Sequence, residues 1–211
     1  MGYPVVLNLT GKNVLIVGAG RVAERRLTGL AGEGASIVIV APQVANRVRD
    51  LAAKLQAEIR ERGFLPSDVD GAFLVHVATS DPAVNDAASA EAANRGALVC
   101  RADRAGGGDV MTPSAFRRGD LLVAVTTGGQ SPTFAAVLQD HIEQAIGPEY
   151  ETWTALFGRL RTVIKTNSKE ATRKAVVRAI LSDEETGRLV RAGDLDGATE
   201  AVIRFLSAGF D

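Results

Sequence analysis

The stretch Asn13-Val14-Leu15-Ile16-Val17-Gly18-Ala19-Gly20-Arg21-Val22-Ala23-Glu24 decides how the rest of the chain is read. An apolar run enters Gly18-x-Gly20-x-x-Ala23, and an amphipathic segment follows at once. A strand-turn-helix of this kind brings backbone against a pyrophosphate. Gly18 makes the tight turn, Gly20 removes a Cβ that would clash, and Ala23 lets helix and strand pack closely. Free N–H groups at the helix start then face the phosphate charge. The order predicts a dinucleotide site; the glycine spacing alone would also fit a bland turn between strand and helix.

Outward from the turn, Val22, Ala23, Leu27, Leu30 and Ala31 form one helical stripe, which Gly32 and Gly34 end. Ser36-Ile37-Val38-Ile39-Val40 is a β-branched run suited to a strand buried on both faces. A helical pattern over Val44 to Leu55 leads to the short polar strand Glu58 to Glu61, placed at the sheet edge. Phe73 to Ala78 gives another buried strand. Asp81 caps and Pro82 opens the helix Ala83 to Asn94, and Ala97 to Cys100 is the next strand. This alternation predicts an α/β fold, a doubly wound parallel Rossmann-type sheet, over residues 1–112.

The rhythm breaks after Asp103. Ala105 to Asp109 reads as a flexible connector, and Met111 to Phe116 leads to a turn at Arg117-Arg118-Gly119-Asp120. Leu121 to Thr127 is a strand, and Ser131-Pro132 caps and opens a helix from Thr133 to Ile146. One strand and one helix bury too little to stand alone, so residues 113–148 are expected to pack on something else, such as a second subunit. A C-terminal helical region, 149–211, follows, with helices over 150–165, 168–181, 183–192 and 194–208 and with Asp183 and Asp194 as caps.

The 24 Lys and Arg residues balance 25 Asp and Glu, which argues against nucleic acid as a partner. The start of the chain lacks a signal-peptide pattern, and no run reaches about 18 apolar residues, so no membrane partner and a cytoplasmic location are expected. With Cys100 as the single cysteine and His76 and His141 as the only histidines, no disulfide and no metal site are expected. Cys100 reads as a buried thiol, His76 as a core or sheet-face residue and His141 as a helix-surface residue.

At the end of the second strand, where an acid usually meets the ribose about twenty residues past the glycines, the chain has Ala41-Pro42-Gln43. Gln43 or backbone can serve there, and no Arg welcomes a 2′-phosphate, which favours NAD over NADP. Ala78-Thr79-Ser80 ends a strand where the ligand crevice of such a sheet lies, although Thr79 also fits a plain strand-end turn. Asp103, past the fifth strand, is placed to accept a proton as a hydride leaves; the bland alternative is a loop carboxylate paired with Arg101 or Arg104. Arg101, Arg104, Arg117 and Arg118, with Arg21, Arg25 and Arg26, suit a polycarboxylate if they line one cleft, and are otherwise scattered surface arginines.

Seven segments in unbroken order over residues 3–146 together resemble the precorrin-2 dehydrogenase family, which includes the dehydrogenase/ferrochelatase part of siroheme synthase. They are Pro4 to Leu9, Val17 to Arg25, Val40-Ala41-Pro42, Ala78-Thr79-Ser80-Asp81, Asp103, Met111-Thr112-Pro113-Ser114 and Val125-Thr126-Thr127-Gly128-Gly129-Gln130-Ser131-Pro132. The resemblance implies NAD-dependent oxidation of precorrin-2 to sirohydrochlorin, with ferrous-iron insertion in some members. It implies that Gly18, Gly20, Arg21, Val22, Pro42, Gln43, Ala78 and Thr79 bind NAD and that Asp103 is the functional aspartate. It also implies that Thr126, Thr127, Gly128 and Ser131, with Arg101 and Arg104, meet the tetrapyrrole. Cys100 stands where the family has Asn. An intertwined homodimer built from the region near Pro113 onward is implied as well. The rival reading is a non-catalytic NAD-sensing regulatory domain, which shares the glycine turn but usually has an acid after the second strand.

Overall fold

The computed structural model describes residues 2–104 and 106–207. Met1 of the opening arm, Ala105 of the connector and Ala208 of the last expected helix lie outside them. The chain divides into two compact units: Met1–Thr112 with Gly128–Gln130, and Pro113–Thr127 with Ser131–Asp211.

In the first unit, strands β1 (Asn13–Val17), β2 (Ser36–Val40), β3 (Glu58–Arg60), β4 (Leu74–Val77) and β5 (Leu98–Arg101) form one sheet. Its order is β3-β2-β1-β4-β5, and every pairing is parallel. Helices α1 (Arg21–Leu30), α2 (Asn46–Leu55) and α3 (Pro82–Asn94) are the crossovers. Successive residues of a strand face opposite sides of a sheet, and here both sides are apolar. Val14, Ile16, Ile39 and Leu74 pack with Ala23 and Leu27 of α1 and Val48 of α2. Leu15, Val17, Val75 and Val99 pack with Ala88 and Ala92 of α3. Double burial is why these strands read as unbroken β-branched runs rather than alternating ones.

The Asp81 carboxylate accepts from the Ala83 amide at 2.9 Å and Pro82 is the first helical residue of α3, the start expected from sequence. At the β3 edge, Arg60 donates to Glu58 at 2.8 Å and to Asp68 at 3.0 Å. Arg62 forks onto both Asp68 oxygens at 2.6 and 2.7 Å. The connector after β5 differs from the expected flexible link. The Asp109 carboxylate accepts from the Val99 amide at 3.0 Å, and the Val110 amide donates to the Val99 carbonyl at 3.1 Å. The segment thus covers the free edge of β5, which would otherwise offer unpaired backbone groups.

In the second unit, Ser114–Arg118 is a strand, β6, rather than a lead-in. It pairs antiparallel with β7 (Leu121–Val125) through a two-residue turn, Gly119-Asp120, whose glycine has φ +55°. Arg117 and Arg118 therefore lie in the strand, not the turn. Helix α4 (Pro132–Ala145) packs on both strands, and α5 (Glu149–Asn167) also touches them. Phe134, Val137 and Leu138, at i, i+3 and i+4 of α4, are exposed. Helices α6 (Arg173–Ser182), α7 (Glu184–Arg191) and α8 (Leu195–Ser207) close on α5 around Leu156, Leu160, Val176, Ile180, Val190 and Val202. Helix α6 begins five residues later than expected because Ser168 ends α5 in extended backbone and its hydroxyl donates back to the Ile164 carbonyl at 2.5 Å.

Candidate active site

In an open parallel sheet, ligands bind at the carboxyl ends of the strands where the order reverses, here between β1 and β4. Gly18 leaves β1 at φ +109°, and a Cβ added there would stand 2.5 Å from the Ala78 carbonyl oxygen at the end of β4. Only glycine permits that approach. The Gly18 amide donates to the Val40 carbonyl at 2.8 Å, and the Ala45 amide to the Ala19 carbonyl at 3.2 Å. These bonds draw the Pro42-Gln43 corner against the glycine turn.

Gly20 is different in kind. Its φ is −94°, which any residue adopts, and a Cβ there would meet nothing within 4 Å. No side chain caps the start of α1, so its first amides keep their donors for a ligand. An open space beside uncapped amides fits the pyrophosphate of a dinucleotide, with Arg21 and Val22 at its rim. Pro42 and Gln43 are exposed at the ribose corner.

At the mouth of the crevice, the Thr79 hydroxyl donates to Asn85 Oδ1 at 2.6 Å, the Thr79 amide donates to the same oxygen at 3.2 Å, and Asn85 Nδ2 donates to the Thr79 carbonyl at 3.1 Å. The buried Asn85 of α3 thus fixes the turn after β4 from three sides.

Asp103 stands beyond β5 on the same edge of the sheet. Arg101 grips it with both arms of its fork, Nε to Oδ1 at 2.9 Å and Nη2 to Oδ2 at 2.7 Å, and turns Nη1 to the Asp86 carboxylate of α3. The Arg101 guanidinium is the main reason the Asp103 carboxyl falls to about 2, with Asn85 adding to the effect. Both carboxylates in turn push the Arg101 pKa up. The Arg101 side chain is only 4% exposed, whereas that of Asp103 is 30% exposed. Asp103 is thus paired with Arg101, as the sequence also allows for a loop carboxylate. The pairing leaves the carboxylate ionised and facing outward. Arg104 is exposed beside it.

Within the second unit, the Thr127 hydroxyl accepts from the Ser131 amide at 3.0 Å, and the Ser131 hydroxyl accepts from the Phe134 amide at 3.2 Å. The two side chains shape the turn into α4, and Thr126 is exposed; Gly128, which belongs to the first unit, has φ +64°. Arg118 is held inside the unit by Glu143 at 3.1 Å and lies over the Phe116 ring.

His76 is buried on β4, and burial lowers its pKa to about 4, with Arg26 adding to the effect. A histidine held neutral in this way carries no positive charge at pH 7. Cys100 is buried with its Sγ 3.4 Å from the Thr112 hydroxyl. Among the described residues, no three of His, Cys, Asp or Glu gather where a metal ion would sit, and no helix is long and apolar enough to cross a membrane.

Sequence reasoning missed Asn85 and Asp86. The signal for Asn85 was a polar residue heading the buried stripe Asn85, Ala88, Ala92 of α3. Asp86 gave none, because its partner is fifteen residues away.

The NAD(P)-binding family model matches residues 5–114, and the model described as the central part of sirohaem biosynthesis protein matches residues 118–145. The precorrin-2 dehydrogenase of Priestia megaterium is 30% identical over 190 residues, 90% of this chain and 94% of that protein. The siroheme synthase of Pseudomonas fluorescens (strain Pf0-1) is 35% identical over 162 residues, 77% of this chain but only 35% of that longer protein. Among solved structures, SirC, a precorrin-2 dehydrogenase, matches with a TM-score of 0.72 and 27% identity, covering 96% of this chain and 100% of that one. Fold, cradle and family model together define a protein of the NAD(P)-binding class. The chain belongs to the precorrin-2 dehydrogenase family.

Proposed function

We propose that this chain catalyses the NAD-dependent dehydrogenation of precorrin-2 to sirohydrochlorin, on the way to siroheme or cobalamin. The observation that carries the reading is one sheet edge on which an uncapped phosphate cradle after β1 and an ionised, outward-facing Asp103 after β5 stand two strands apart. The sensor alternative gives no work to Asp103 and has no counterpart among the relatives above.

Precorrin-2 must lose a hydride and a proton. NAD is the hydride acceptor when bound, held by Gly18, Gly20, Arg21 and Val22 at the phosphates, Pro42 and Gln43 at the ribose, and Ala78 and Thr79 at the crevice mouth. Asp103 faces the positive charge left on the macrocycle as hydride departs and takes the proton on its way to water. A carboxylate with a pKa of about 2 is a weak base, so its main contribution is charge. Arg101, expected to bind substrate directly, has its fork engaged by Asp103 and Asp86, and we assign it to holding Asp103. The resemblance assigns Arg104 and the Thr126, Thr127, Gly128 and Ser131 segment to the tetrapyrrole. Freshly generated precorrin-2 with NAD under anaerobic conditions should yield NADH and the sirohydrochlorin spectrum; nucleotide binding without either product would contradict the reading.

Both oxygens of Asp103 are engaged by Arg101, so this one assigned carboxylate is poorly placed to receive Fe2+. We infer dehydrogenation without appreciable iron insertion. Insertion of Fe2+ into sirohydrochlorin should run at the enzyme-free rate, and an acceleration abolished by Asp103→Ala would overturn this inference.

We also infer a homodimer through residues 121–146, supported by the exposed stripe Phe134, Val137 and Leu138 on a unit whose sheet has only two strands. Light scattering at micromolar concentration should give twice the chain mass, and a monomer would count against it. Cytoplasmic action fits the reading of an NAD-dependent biosynthetic step.

A further inference from the structure

Resting on the reaction assigned above, we propose that Asp86 is a positioning residue for the dehydrogenation: through Arg101 it fixes the Asp103 carboxylate and leaves the Asp86, Arg101, Asp103 trio with a net negative charge. Asp103 with Arg101 alone is a closed bidentate pair, in which the cation behind the carboxylate offsets part of its charge as seen from a bound ring. A positive charge developing on a nearby ring would meet a dipole. The Asp86 carboxylate on Arg101 Nη1 adds a third charge, so the trio Asp86, Arg101, Asp103 sums to minus one.

The same contact is also geometric. Arg101 spends Nε and Nη2 on Asp103 and Nη1 on Asp86, so a side chain only 4% exposed has its guanidinium held at both ends. Asp86 itself is exposed, needs no partner for its own burial, and is not a core residue. Its neighbour Asn85 clamps the Thr79 turn after β4. Two consecutive residues in the first half of α3 therefore set both the mouth of the dinucleotide crevice and the carboxylate beside it.

The test compares two substitutions of Asp86. Asp86→Asn preserves shape and removes the charge. It should lower kcat about tenfold while the KM for NAD and the thermal midpoint stay at wild-type values. Asp86→Glu keeps a carboxylate within reach of Arg101 and should retain most of the wild-type kcat, a rescue that a role in packing alone would not give. Wild-type kcat in Asp86→Asn, or Asp86→Glu as slow as Asp86→Asn, would overturn the proposal while the dehydrogenase reading stands. A wild type that binds NAD yet forms no NADH from precorrin-2 would remove both together.

Discussion

Two aspartates lie near opposite edges of the same sheet, each forked by an arginine and each with its carboxyl lowered to about 2, yet their burial is reversed. By the β3 edge the Asp68 side chain is 1% exposed while Arg60 and Arg62 are 33% and 39% exposed. By the β5 edge Arg101 is 4% exposed and Asp103 is 30% exposed. The first arrangement uses surface cations to neutralise a buried acid that also accepts the Leu65 amide at 2.8 Å and so pins the turn after β3. The second uses a buried cation to present an acid. Identical bonds thus serve stability in one place and ligand chemistry in the other, and burial rather than pairing tells them apart.

The distinction between groups used internally and groups left on offer extends to the glycine turn, where the largest effect is expected. Gly18→Ala puts a methyl group into the Ala78 carbonyl at a positive φ and should cost about 3 kcal/mol in denaturant unfolding, with loss of NAD binding. Near-wild-type stability would show that the turn has room to shift.

Next in size, Asp68→Asn should lose about 2 kcal/mol while turnover per folded molecule stays unchanged. A drop in turnover would break the comparison, because Asp68 would then be more than structural. Its pH dependence sharpens the point. The Asp68 carboxyl titrates near 3.8 unfolded and about 2 folded, so the unfolded chain holds the extra proton between those values. The stabilisation is complete above about pH 4 and is lost as the pH falls through 2; Asp103 titrates in the same window, so the variant should show a shallower acid limb rather than none. His76, lowered from 6.5 to about 4, acts in the window above it: stability is full above pH 6.5 and declines toward pH 4. Unfolding midpoints measured from pH 7 to 2 should resolve the two windows.

The smallest stability effect belongs to Gly20→Ala, which meets no atom of the protein and should change stability by less than about 0.5 kcal/mol. It should nonetheless weaken NAD binding about tenfold, since the methyl occupies the space kept for the pyrophosphate. Unaltered NAD affinity would place the phosphates elsewhere.

Most of the first unit was legible because its strands are buried on both faces. Runs such as Ser36 to Val40 have no other use, and the observed strand spans those same five residues. Strand β6 was not legible because a two-stranded sheet covered on one side by α4 asks little of its sequence: in Ser114-Ala115-Phe116-Arg117-Arg118 only Phe116 is buried. The hairpin signal was nonetheless present in Gly119-Asp120. The connector misled for a related reason. A Cβ at Gly108 would lie 2.3 Å from the Val99 carbonyl oxygen, so that glycine serves close packing along β5 rather than flexibility. Gly18 and Asp103 could be found from local pattern and family resemblance. Asp86 and Asn85 act across the gap between a helix and the strand ends, and only folding brings them to the site.

The most direct measurement is anaerobic NADH formation from precorrin-2 by wild type, Asp103→Ala and Asp68→Asn, each corrected for its folded fraction. Reversed burial predicts that Asp103→Ala falls at least about a hundredfold in kcat per folded molecule with NAD affinity nearly intact, while Asp68→Asn keeps wild-type turnover. Wild-type turnover in Asp103→Ala would contradict the account, as would an equal loss of turnover in the two variants.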